Sequence, residues 1–566
     1  MANFTVSPGV SLNEIDQTFL TAEPIQAGAA IIGPTVKGPI QTPVKVTSYT
    51  EYTTMFGDVI ESGSQNYSYL TSIAAYSYFN SGGESLLVTR VVTGSFTSAT
   101  SSIITNGDSN DAFTLETISE GTIMNTGASG TGGALATGTK DNVRWEVTSA
   151  NTGSGTFNLV IRRGDDITNK KNVLESFNNL SLDPNSPKYV AKAIGDQKLA
   201  YSSVNNQITT TGEYPNQSRF VRVKSVNFPT PNYLDPNGTP VATFTGDIPV
   251  AGNGTFGAAT GAPFPARAGK FYSDIDATDS QGLTGTNYTE AISLLSNTDD
   301  YKFNALFVPG LTNEAHSAQI TSLITNTQNR GDSILVFDTT NYGSTVLTST
   351  IQASSRDTSY AATYWPWVRI SDPATGKLVF VPASTVIPGV YAFNDRTAAP
   401  WFAPAGINRG GLNTVLSAEY KLTAANKNTL YEANVNPIAT LPREGVVVFG
   451  QKTLQKEASA LDRVNVRRLL IALKSFIGQL ADQIVFEQNT ATTRNAFLAR
   501  VTPYLETVQQ KQGLFAFKVV MDDSNNGPDV IDRNQLIGQI YIQPTRTAEF
   551  ISLDFILQPT GAEFPA

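Results

Sequence analysis

An alternation of strand-like and helix-like segments starts near the beginning of this 566-residue chain, breaks off, and resumes far downstream. Ala27–Gly33 reads as a short buried strand. Tyr69–Phe79 carries Leu70, Ile73, Ala74 and Tyr78 at helical spacing, and Leu86–Val92 reads as the next strand. The pattern returns with a helix at Ala291–Leu295, a strand at Ala305–Val308 closed by Pro309-Gly310, a helix at Ala315–Ile324 and a strand at Ile334–Asp338. Such alternation specifies a sheet covered by helices. Between the halves Gly, Ser, Thr and Asn dominate, with a low-complexity run from Gly121 to Thr139. Short alternating runs there (Phe113–Ile118, Val143–Val147, Phe220–Val223) predict strands on long loops. The chain therefore reads as one α/β domain, 24–92 with 285–400, split by an inserted β-rich domain, 93–284.

Both ends differ from this body. Residues 1–23 read as an arm: Pro8-Gly9 breaks regular structure, and Val6, Val10, Leu12 and Ile15 are too sparse to form a core. Such an arm is either disordered or completed by something else. Residues 401–566 form a third unit. Within it, Leu461–Phe486 is the strongest predicted helix, with Leu469, Leu473, Phe476, Leu480 and Ile484 as an apolar stripe. A second helix is expected over Thr493–Gln510, interrupted near Pro503. Strands follow at Leu536–Gln543 and Glu549–Gln558. In the latter, Ile551, Leu553, Phe555 and Leu557 make one face fully apolar, so that face needs a cover.

Composition removes whole classes of chemistry. With no cysteine, disulfides, thiolate metal sites and cysteine nucleophiles are excluded. The one histidine, His316, rules out a multi-histidine metal site, and any Ser-His-Asp system would have to use it. It reads as a surface or capping residue. No apolar run nears the roughly 18–20 residues needed to cross a bilayer, so no membrane insertion is expected and the product is read as soluble. A net charge of −9 disfavours direct nucleic-acid binding. Charged residues make up 15%, against about 25% in an average soluble protein, which points to surfaces that are uncharged or covered by neighbours.

The remaining motifs read mostly as structure. Gly33–Pro39 has phosphate-loop glycine spacing, yet Pro39 stands where the motif needs a lysine; it reads as a rigid turn. The acid pairs Asp165-Asp166 and Asp522-Asp523 lack the spacing of a calcium loop and read as solvated turns. Trp365-Pro366-Trp367 and Trp401-Phe402 read as packing anchors. No cofactor, metal or catalytic residue is assigned. A basic stretch is more pointed: Lys452, Lys456, Arg463, Arg467, Arg468 and Lys474 face only Glu457 and Asp462. Either it is a solvated helix face or it docks on an acidic protein surface.

Longer strings carry a resemblance. They are Trp401–Gly410, Val435–Ile438, Gly450–Leu454, Ser459–Leu469, Phe486–Asn489 with Thr493-Arg494, Asn525–Pro528, Ile540–Pro544 and Ala548–Ile551. Ser7–Val10, Asn13–Asp16 and Glu175–Pro187 add to them. Together they resemble the contractile tail sheath proteins of myovirus-type bacteriophages. The resemblance implies an α/β plus α+β multidomain chain with a subtilisin-like α/β core, alike in fold only. It also implies an outward-facing insertion and a C-terminal α+β domain whose sheet is completed by strands of neighbouring subunits. The implied function is a structural subunit that polymerises as stacked hexameric rings around an inner tail tube. Contraction would then drive the tube through the host envelope for genome ejection. The implied partners are other sheath subunits, the inner tube protein, and baseplate and tail terminator proteins. The implied location is the tail sheath of the virion, assembled in the host bacterial cytoplasm. Under this reading Arg463, Arg467, Arg468 and Lys474 face the tube. Val6, Val10, Leu12 and Ile15 of the arm, and Ile551, Leu553, Phe555 and Leu557 of the last strand, are exchanged between subunits. A subtilisin-like hydrolase and a surface-array or adhesin protein are the alternative functions.

Overall fold

A computed structural model describes residues 25–62, 65–262 and 271–550. The arm residues Val6, Val10, Leu12 and Ile15, and the strand residues Ile551, Leu553, Phe555 and Leu557, lie outside the described residues.

The central element is an eight-stranded sheet assembled from distant parts of the chain. Its first strands and helix are β1 (Ala29–Gly33), β2 (Val44–Val46), α1 (Leu70–Asn80) and β3 (Leu86–Arg90). The sheet resumes with β4 (Ala305–Thr312), α2 (Ser317–Arg330), β5 (Ile334–Asp338), α3 (Val346–Ser354) and β6 (Ala361–Trp365). It ends with α4 (Ile387–Thr397), β7 (Asn436–Leu441) and β8 (Gly445–Val448). The strand order is β8-β7-β6-β5-β4-β1-β3-β2. Neighbours from β7 to β3 pair in parallel, and β8 and β2 close the two edges antiparallel.

Burial on both faces explains why the strands read as unbroken apolar runs. Ile334 and Val336 of β5 join one core with Ile31, Val88 and Phe307, while Leu335 and Phe337 join the opposite core with Ile32, Leu87 and Leu306. The alternation of strand side chains thus feeds two cores at once. Helices α1 and α4 cover the first face, with Ile73, Ala74, Val390 and Tyr391. Helices α2 and α3 cover the other, with Ile320, Leu323 and Ala353.

One boundary is corrected. The expected end of the α/β part at residue 400 falls too early, because β7 and β8 continue the same sheet. Trp401 to Val435 carried no strand–helix alternation clear enough to show that the sheet continued beyond them.

Residues 98–257 hold two four-stranded antiparallel sheets. One runs Val173–Ser181, Thr156–Arg163, Val143–Asn151, Gly252–Gly254; the other runs Val221–Val226, Phe113–Glu120, Ser98–Ser101, Phe256–Gly257. They share a single core of residues between 99 and 259, in which the Phe113 and Phe157 rings lie 5.5 Å apart. The hairpin Lys198–Ser202/Gln207–Thr211 leaves this unit and rests Tyr201 and Ile208 on the α/β core.

The fourth core gathers α5 (Val464–Asp482), α6 (Ala491–Gln510), β9 (Leu514–Val520) and β10 (Gln539–Pro544). Leu469 and Leu473 of the predicted stripe are buried against Phe497, Val501 and Leu505. Full burial of each such side chain stabilises by about 1.5–3 kcal/mol. Pro503 does not interrupt α6, which runs through it.

Candidate interaction surfaces

In a doubly wound sheet, ligands bind at the carboxyl ends of the strands where the strand order reverses. Here the order reverses between β1 and β4. Residues 280 and 281 fill that crevice: the Ser280 hydroxyl donates to the Gly310 carbonyl, and the Gln281 side chain accepts the Leu70 amide at 2.9 Å. A cavity of 20 Å³ is left beside Pro34, Thr35 and Arg90, about the space of one water.

The motif Gly33–Pro39 is a junction. Lys37 is buried, 3.3 Å from the Asp141 carboxylate and 3.2 Å from its carbonyl. Burial pulls its pKa down, against the opposing pull of Asp141. Lys37 thus ties the sheet to the inserted unit. Beside it, Arg90 donates to the carbonyls of Gly38 at 2.6 Å and Glu120 at 2.9 Å.

His316 is buried, contrary to its reading as a surface residue, and its side chain makes no cap to α2. Its Nδ1 accepts the Thr312 amide at 3.3 Å. Burial lowers its pKa, with Asp276 pulling the other way. The notable acid lies elsewhere. Asp338, fully enclosed at the end of β5, accepts the Ser384 amide at 3.0 Å and the Ser384 hydroxyl. The serine is held by the carboxylate directly, with no imidazole between them. Burial pushes Asp338 up to about 7, although the Ser384 bonds pull down.

Asp166 is likewise no solvated turn. It is buried and takes two bonds from Arg162, at 2.7 and 2.8 Å, with Arg144 at 3.4 Å. Asp523 pairs with Arg494, and Asp522 caps its own turn through Ser524. Trp365 stacks on Tyr420 at 5.4 Å, and the Trp367 indole donates to the Thr340 carbonyl at 3.0 Å, as expected of packing anchors.

The basic stretch divides. Arg467 and Arg468 are 4% and 3% exposed, so they form no open stripe. Arg467 lies over the Tyr360 ring at 3.9 Å and donates to Ser359. Arg468 lies over Tyr391 at 4.5 Å and donates to Asp395 at 2.6 Å. The first turn of α5 packs against the α/β body, and desolvation there demands a partner for each guanidinium. Those partners sit on segments remote in sequence, which helix periodicity cannot reveal. Lys474 is exposed, with Tyr360 Oη at 3.4 Å.

Arg463 holds a different cluster. Its Nε donates to Glu549 at 2.8 Å and its Nη1 lies 3.0 Å from Asp462. Gln451 donates to Glu549 at 2.9 Å, and so does the Tyr431 hydroxyl. Burial pushes the Glu549 carboxyl up, but these three donors outweigh it and hold it below the usual range. The segment after β10 is thereby fastened across the start of α5. Nothing in local spacing singled out Glu549.

The β9–β10 ribbon is the least finished surface. It has two strands, and its outer edges pair with no other strand among the described residues. Leu514 is buried below it, but Phe515 is 75% and Tyr541 56% exposed above. A two-stranded sheet with open edges is a template for further strands.

Two family models cover the downstream half. Residues 281–454 match the phage tail sheath protein central domain, and residues 456–558 match the phage tail sheath C-terminal domain. Over these residues the chain is similar to the phage tail sheath family. The boundary between the two models falls after β8 and before α5, where the large sheet ends. Curated relatives agree. Over 185 residues the chain is 38% identical to the tail sheath protein of Vibrio phage KVP40 and 37% identical to that of Enterobacteria phage T4. Each match spans 33% of this chain and 28% of the relative's length. The crystal structure of a sheath tail protein from Listeria innocua superposes with a TM-score of 0.52. It covers 93% of this chain and 96% of that one at 10% identity, a likeness of fold. Among the described residues no helix is long and apolar enough to cross a membrane.

Proposed function

We propose that the chain is the structural subunit of a contractile tail sheath. It polymerises as stacked hexameric rings around an inner tube and contracts to drive that tube through the host envelope. The observation that carries the proposal is the β9–β10 ribbon, open at both edges among the described residues and exposing Phe515 and Tyr541. Strands donated by neighbouring subunits supply what it lacks: residues 1–23 from one end and the alternating Ile551, Leu553, Phe555 and Leu557 from the other. Main-chain hydrogen bonds then tether each subunit while rigid bodies repack around the tether.

In this reading the parallel sheet with helices on both faces is a scaffold of subtilisin-like type, without a catalytic step. The domain plan follows the four cores, with the inserted unit facing outward. Arg467 and Arg468 are bound within the chain, so the contact with an acidic tube narrows to Lys474 and the rim of Arg463. The further partners are baseplate and tail terminator proteins, and the subunit resides in the virion tail after assembly in the host cytoplasm.

Electron microscopy of the purified protein tests this directly: hollow helical tubes are expected at high concentration, and persistent monomers would refute the proposal. Deleting residues 1–20 should leave the fold intact and abolish ring stacking. Normal tubes from that deletion would remove the strand-donation role.

A further inference from the structure

We propose that a groove beside the C-terminal exit seats this chain's own residues 551–566 before assembly, an inference that rests on the strand-donation reading above. The groove is a cavity of 900 Å³ walled by Trp401, Phe402, Tyr431 and Phe449. Two cations lie over its aromatic walls: Arg409 is 5.1 Å from the Phe402 ring and Lys427 is 5.0 Å from the Phe449 ring. Phe449 is 47% exposed.

Where the chain leaves the body points to the occupant. Residues 545–550 line the groove, and Glu549 is pinned there by Arg463, Gln451 and Tyr431. Phe550 meets Tyr431 edge-on with ring centres 6.4 Å apart. The following residues therefore start at the groove's mouth. Ile551, Leu553, Phe555 and Leu557 alternate along the sequence, and the charges over 551–566 are Asp554 and Glu563, with no lysine or arginine. The groove answers with Arg409, Lys427 and Arg546 against Glu432 and Glu549, a net of one positive charge. Reach is sufficient. Tyr431 and Lys427 are one turn apart on the helix Ala424–Glu432, and from Phe550 three to five extended residues span roughly 10–17 Å, enough to come alongside Phe449.

Seating on the same chain sets a high effective concentration, so in dilute solution the segment finds its own groove before another copy. A neighbour's ribbon offers a row of main-chain hydrogen bonds that aromatic walls do not. Packing subunits together would then draw the segment out. The exchange is a swap of one element between identical copies.

The absence of native cysteine makes disulfide trapping clean. Phe449→Cys is combined with Leu553→Cys, and separately with Phe555→Cys, in the full chain. Mild oxidation of dilute, unassembled protein should give an internally crosslinked monomer from at least one pair, and the product should vanish once tubes form. Disulfide-linked dimers instead would place another copy's segment in the groove and overturn the proposal. So would the absence of any crosslink. Pairing Phe515→Cys with Leu553→Cys in assembled tubes separates the two readings. Its intersubunit crosslink without the monomer crosslink would sink the groove seat and leave strand donation standing; tubes lacking it would sink donation itself. Lys427→Glu should shorten the lag of tube assembly about two- to fivefold, the range for an exposed ion pair; an unchanged lag would count against the seat.

Discussion

Two buried ionic groups decide how the subunit answers to its surroundings. Asp338 takes up a proton on folding, because its folded pKa is about 7 against about 3.9 in an unfolded chain. Its stabilising share is therefore complete below pH 4 and is lost as pH rises towards 7. Thermal scans at pH 5 and pH 8 should show the higher transition at pH 5. Asp338→Asn keeps the shape, takes no part in this titration, and should shrink that difference by a few kcal/mol in equivalent stability. Equal differences in parent and variant would refute the assignment. Arg468 poses the opposite case, a buried guanidinium held by Asp395 and the Tyr391 ring. Arg468→Ala should cost about 3 kcal/mol, the lower end for a broken buried pair because Asp395 is partly exposed. Denaturant titration measures it, and Arg468→Met should recover part of the loss by restoring the packing.

Among the elements, the ribbon and α5 differ in how they were readable. The stripe Leu469, Leu473 announces α5 through its period alone, and the helix forms where that stripe finds α6. The arginines on the same helix carry no such mark. Whether a guanidinium meets solvent, a tube or Tyr360 depends on what packs against the helix, and helical spacing holds no record of that. The same holds for Glu549, whose three partners come from three distant segments. For the ribbon, the sequence reading places a strand at Leu536–Gln543 but none at β9, and only the fold leaves Phe515 and Tyr541 bare. Replacing Phe515 and Tyr541 by Lys should change monomer stability by less than about 0.5 kcal/mol and block tube formation. Sedimentation together with thermal melting checks both halves of that expectation. Unimpaired tubes would mean that the bare face lies outside any contact.

At the scale of the whole molecule, the inserted unit is separable. Its ends meet, since the Thr97 amide donates to the Thr260 carbonyl at 3.2 Å and their hydroxyls lie 3.1 Å apart. It also keeps a core of its own. Replacing residues 98–259 by a short Gly/Ser linker should preserve the parallel sheet and its helices, at the cost of the Lys37–Asp141 tie. Circular dichroism and tube formation are the measurements; a collapsed sheet would show that the hairpin carrying Tyr201 and Ile208 is part of the core it rests on.

What the sequence determined by itself was everything written in short-range periodicity: two halves of an α/β domain around a β-rich interruption, and the strongest helix. Boundaries set by long-range pairing stayed hidden. The sheet's continuation through β7 and β8 is a matter of which strand edges meet, and hydrogen bonds between edges leave no local pattern. Tertiary structure alone decided which charges are buried, because desolvation and pairing depend on neighbours far away along the chain. That is why Lys37, Asp166, Arg467 and Arg468, each open to a functional reading in sequence, prove to be joints within the fold.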